Sequence, residues 1–115
     1  MSRWFLALAM GCSPIAGDWE AESASSEAGN SIAIGILEVD LDGETLLEID
    51  ASGDGPTGSL RATGSADLGE STLSLLGSLD GTTVDVQGPC TRDGRELLCD
   101  LEVGEASWEL DFRRD

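Results

Sequence analysis

At 115 residues the chain has material for one domain and too little for two independent cores. It carries 23 acidic residues against six basic ones, all arginine, for a formal net charge of −17; such a field opposes nucleic acid and anionic headgroups and favours basic proteins or cations as charged partners. Histidine, lysine and tyrosine are absent, which removes the commonest general base, the usual zinc ligand and the Schiff-base amine, so a non-enzymatic protein without cofactor or metal is expected.

In chain order, Met1-Ser2-Arg3 supplies a positive start, Trp4 to Met10 is a short apolar run, and small residues follow before the acids begin. Seven residues cannot span a bilayer as a helix, which takes about 20. The pattern is that of a signal peptide over residues 1–11. At its end, Leu8-Ala9-Met10-Gly11-Cys12 resembles the lipobox of bacterial lipoproteins. The resemblance implies cleavage before Cys12 and acylation of Cys12 on sulfur and amine, leaving residues 12–14 as a lipidated tether to the membrane. By the rule of that family, Ser13 directs the protein to the outer membrane, on its periplasmic face. Three cysteines in an exported chain leave one unpaired. Lipidation of Cys12 accounts for it, and Cys90 and Cys99 remain as a disulfide pair.

Residues 15–115 form a single domain in which period-two alternation is broken by glycine-bearing turns, with no credible helical period. Eight strands are predicted, starting near Ala16, Ile32, Thr45, Thr57, Thr72, Thr82, Glu96 and Ala106. In the second, the inward phase switches between Ile36 and Leu37, which predicts a bulge beside Gly35. Around Asp42-Gly43 a two-residue turn fails to align apolar positions, so an odd loop is expected, setting Val39 against Leu47, Leu37 against Ile49 and hence Glu38 against Glu48. A four-residue loop after Asp67 sets Ala66, Gly64, Ala62 and Leu60 against Leu73, Leu75, Gly77 and Leu79.

The last three hairpins are better defined. Asp80-Gly81 as a type I′ turn sets Leu79, Gly77 and Leu75 against Thr82, Val84 and Val86. For "CTRDGRELLC", a type II′ turn at Gly94-Arg95 places Cys90 opposite Cys99 on a non-hydrogen-bonded pair, where alpha carbons approach most closely. A II′ turn at Gly104-Glu105 sets Val103 against Ala106, Leu101 against Trp108 and Leu97 against Phe112. All-β architecture follows, and an eight-stranded antiparallel up-and-down meander barrel is the closure that leaves no edge. A two-sheet sandwich is the alternative.

Gly17-Asp18-Trp19 on the first strand resembles the Gly-x-Trp of lipocalin-type barrels. The resemblance implies that Trp19 closes one end beneath an arginine from the last strand, and strand phase selects Arg114 over Arg113. The chain lacks the Thr-Asp-Tyr motif and the carboxy-terminal helix of that family.

Three further features bear on function. Glu38, Asp40, Asp42, Glu48 and Asp50 make an acidic outer face, more often a merely solvated one than a binding surface. Asp50, Ser52, Asp54 and Gly55 match the first half of a calcium loop, but Arg61 stands where the bidentate glutamate is needed, so no metal is expected. Trp19, Trp108 and Phe112, the domain's aromatics, are predicted to point inward, as core or, with Arg114, as the wall of a ligand site. The expected function is therefore a lipid-anchored carrier of a small apolar ligand, with small inward residues Ala62, Gly64, Ala66 and Gly77 leaving it room. The alternatives are an acidic protein-binding or inhibitory module for a basic enzyme, in general outline similar to small barrel lipoproteins that block lysozymes or secreted proteases, and a structural envelope lipoprotein.

Overall fold

The computed structural model describes residues 15–114. The signal peptide, the lipobox with Cys12 and the tether to residue 14 lie outside the described residues. Within them the chain forms eight antiparallel strands: β1 (Gly17–Ser26), β2 (Gly29–Val39), β3 (Glu44–Gly53), β4 (Gly58–Asp67), β5 (Thr72–Leu79), β6 (Thr82–Asp93), β7 (Glu96–Val103) and β8 (Ala106–Arg113). Each pairs with its neighbours in sequence, and β1 pairs with β8, so the sheet is a closed barrel and not a sandwich.

Turn chemistry sets the register. Asp80 and Gly81 both have positive φ, 52° and 88°, as a type I′ turn requires, and Leu79 faces Thr82. Gly94 and Gly104 take φ of 63° and 64° at the first turn position, which brings Cys90 opposite Cys99 and Leu101 opposite Trp108 as the sequence predicts. The four-residue loop also holds, with Ala62 facing Gly77 and Ala66 facing Leu73.

The β2–β3 hairpin differs from expectation. Its loop is odd but shorter: Asp40 N–H donates to the Glu44 carbonyl at 3.0 Å, and the Asp40 carboxylate accepts the N–H groups of Asp42 and Glu44 at 2.9 Å each. Leu37 therefore faces Leu47 and Val39 faces Thr45, two residues from the predicted pairing. The inward parity survives, while Glu38 now faces Leu46 and no longer opposes Glu48. Glu48 instead pairs with Arg61 of β4 at 3.1 Å. The tighter loop wins because Asp40 satisfies the backbone donors of the turn and separates two like charges.

The irregularity expected beside Gly35 is present as a shift of the β1–β2 register between Ile36 and Ile32, but not as a change of phase in β2. β2 alternates without a phase switch: Ser31, Ala33, Leu37 and Val39 are buried, whereas Ile32 and Ile34 are 67% and 70% exposed. A side chain at the inward position Gly35 would run into the Glu48 carbonyl, so this strand presses its small residues against β3 and turns its isoleucines out. The register shift falls in β1 between Glu20 and Ser23, where it moves the inward phase from Trp19 and Ala21 to Ala24.

Among the described residues, 22 apolar side chains are buried in one core, including Trp19, Leu37, Leu47, Ile49, Leu60, Leu97, Leu101, Leu110 and Phe112. At about 25 cal/mol per Å² of apolar area this burial is the main stabilising term. Of the small inward residues, Ala62 is buried in this core, Ala66 packs against it half-buried, Gly64 is exposed, and a side chain at Gly77 would collide with the Arg61 carbonyl. At Gly64 and Gly77 close approach of the neighbouring backbone takes up the space a side chain would fill.

Candidate functional site

The end of the barrel where the described chain begins is plugged from within. Ile15 is fully buried, and the Trp19 indole N–H donates to its carbonyl at 3.0 Å. Arg114 occupies an inward position one step past β8 and lies over the Trp19 ring, 4.5 Å from its centroid, while donating to the Ala16 carbonyl at 2.9 Å. Arg92, at the inward position nearest the mouth of β6, reaches the same ring at 5.6 Å. A side chain at Gly17 would strike the Arg114 guanidinium, which is the physical reason for glycine two residues before the tryptophan. The strand-phase choice of Arg114 agrees with this placement; the second arginine was missed, because its arrival depends on the β6–β7 turn carrying it back over the mouth. Ring, guanidinium groups and Ile15 fill the end together, in the manner of a cap.

The other residues singled out from sequence are dispersed. Trp108 and Phe112 are buried on β8, 5% and 0% exposed, and belong to the core. Cys90 and Cys99 form an inward-facing disulfide with alpha carbons 4.0 Å apart, joining β6 to β7. The aspartates considered for calcium are engaged in strand and turn contacts: Asp50 accepts from the Ser59 hydroxyl at 2.6 Å, and the turn after Gly53 is tied down by Gly55 N–H donating to the Ser31 hydroxyl and the Asn30 carbonyl. Among the described residues no group of three or more carboxylate or cysteine side chains is arranged to hold a metal ion.

Surface chemistry is therefore where the barrel has most to offer. A groove of about 990 Å³ crosses the outside of β5 to β8 and β1, with Glu27, Asp100, Glu102 and Glu109 along it and Gly88 and Pro89 in its wall. Leu41, at the tip of the hydrogen-bonded β2–β3 loop, is 81% exposed between Asp40 and Asp42. On β2, Ile32, Ile34 and Ile36 project outward in succession. Glu48 and Asp50 stand opposite Ile36 and Ile34 on β3, and Glu20 stands opposite Ile36 on β1. Across the ladder from that stripe, burial and the neighbouring Glu96 and Glu22 push the Asp111 carboxyl above its ordinary value, against the lowering influence of Arg113. The stripe escaped the sequence reading because isoleucine on a strand is ordinarily a core residue, and only the glycine at position 35 hinted at the opposite phase.

No family model, curated protein or solved structure matches the chain. The closed eight-stranded meander is consistent with a lipocalin-like barrel, a fold that by itself does not specify a function.

Proposed function

We propose that this is a lipid-anchored envelope protein, tethered through Cys12 to the periplasmic face of the outer membrane, whose barrel binds a basic protein on its outer surface and performs no catalysis. The observation that carries this reading is the contrast between inside and outside. The interior is occupied by 22 buried apolar residues, whereas the outside combines exposed isoleucines and Leu41 with carboxylates. A carrier of a small apolar molecule needs an apolar-walled cavity of several hundred Å³; a binder needs an accessible apolar anchor in a field that attracts its partner. The net charge of −17 supports fast capture of a cationic surface.

The test has two arms. Organic extraction of the purified lipoprotein followed by mass spectrometry is expected to release no stoichiometric lipid beyond the acyl chains on Cys12. Titration with a lysozyme and a basic serine protease, with cytochrome c as the basic non-target control, is expected to give binding to an enzyme that weakens steeply with salt. A stoichiometric apolar ligand, or cationic enzymes bound no better than cytochrome c, contradicts the reading.

A further inference from the structure

We infer that the outward isoleucine stripe of β2, Ile32-Ile34-Ile36, is the docking surface for a basic partner protein that presents an apolar strip flanked by lysine or arginine. This deepens the proposed function and rests on it. Three facts converge. First, the first half of β2 is inverted: its inward positions hold Ser31, Ala33 and Gly35 before Leu37 and Val39, while its three isoleucines face out, two of them 67% and 70% exposed. The other large apolar side chains exposed on strands, Leu76 and Leu98, stand singly among polar neighbours. Three aliphatic side chains in succession on one strand are a contiguous patch.

Second, carboxylates border Ile36 on both sides and Ile34 on the β3 side, while Ile32 lies between Ser23 and Ser52. Glu20 of β1, itself opposite Arg113, faces Ile36, and Glu48, paired with Arg61, and Asp50 of β3 face Ile36 and Ile34. Exposed apolar surface inside an acidic frame selects a partner of opposite charge and rejects two other occupants. A second copy of this chain brings the same carboxylates and a net charge of −17 against itself. An anionic membrane surface meets the same repulsion.

Third, the stripe is held from the β3 side. β2 keeps an unbroken register against β3 from Ser31 to Val39, while its pairing with β1 shifts between Ile36 and Ile32. Little ordering cost accompanies docking on such a surface. Isoleucine also favours strands for its branched side chain alone, and the experiment separates that role from docking.

Photo-cross-linker incorporated at position 34 of the full chain in living cells is compared with the same group at Thr63, an exposed position on β4. The expected result is a cross-link from position 34 alone to a protein of basic isoelectric point. That protein, purified, is then titrated with the wild-type lipoprotein, with the double variant Ile32→Thr/Ile34→Thr, and with Glu48→Gln/Asp50→Asn. Threonine keeps the branched strand former and removes the apolar surface. Its double variant is expected to melt like wild type and bind at least about tenfold more weakly. The carboxylate variant is expected to associate more slowly, with a shallower dependence on salt. Equal cross-linking from positions 34 and 63, an acidic captured protein, or a threonine variant that binds normally overturns the stripe. Normal binding by that variant leaves the proposed function standing with another surface; absence of any protein bound to the wild-type chain removes both.

Discussion

Asp111 shows how this acidic surface costs the fold stability at single positions. Its side chain is partly buried, and Glu96 and Glu22 lie near enough to raise its carboxyl above the ordinary range. Between the ordinary and the raised value the folded chain holds more protons than the unfolded chain, so stability falls as pH rises through that window. Ionised Asp111 is therefore a destabilising charge at neutral pH. Asp111→Asn is expected to raise the melting temperature at pH 7, with the gain disappearing below the ordinary carboxylate range, as paired calorimetry at the two pH values checks. Trp19 is the counter-example at the same level, where charge and apolar surface cooperate: both arginines sit over the ring of a fully buried indole.

Strands and hairpins were legible in the sequence wherever a glycine had one sterically sensible place. Gly81, Gly94 and Gly104 each take positive φ at a turn, and the three hairpins they close have the predicted pairings. Where small residues blur the distinction between faces, the sequence was ambiguous. Ala21 and Ala24 straddle the real phase switch in β1 but carry no hydrophobic contrast to reveal it. In β2 the isoleucines outweighed alanine and glycine in any pattern-based reading, although backbone crowding at Gly35 decides the matter the other way. The cap was half legible, since Arg114 follows from strand phase and Arg92 does not. The disulfide lies on one of the well-defined hairpins, β6–β7, and joins residues nine apart. Replacing both cysteines by alanine is expected to cost about 2–3 kcal/mol in the chain-entropy view, leaving the barrel folded. Urea titrations of the oxidised wild type and the double variant measure this directly.

The chain sets 23 acids against six arginines, and the described residues form an apolar core inside a charged shell. Four of those arginines, Arg92, Arg95, Arg113 and Arg114, gather at the capped end, where Arg114 N–H donates to the Arg95 carbonyl at 3.0 Å and Arg113 faces Glu96. Elsewhere the shell is dominated by acids that repel one another. Added salt screens this repulsion and also screens attraction to a cationic partner, so the two properties should move in opposite directions. Raising sodium chloride from about 0.02 to 0.5 M is expected to raise the melting temperature while weakening partner binding; both falling together contradicts charge-driven capture.

The isoleucine docking surface exists only if the outward side of β2 meets water. Single cysteines placed at positions 31 to 34 and at 37 in the oxidised chain, timed in their reaction with a water-soluble maleimide, read this strand residue by residue. The account predicts rapid labelling at Ile32→Cys and Ile34→Cys, and protection at Ser31→Cys, Ala33→Cys and Leu37→Cys. Protection at positions 32 and 34 with rapid labelling at 31 and 33 would place the isoleucines in the interior and contradict it.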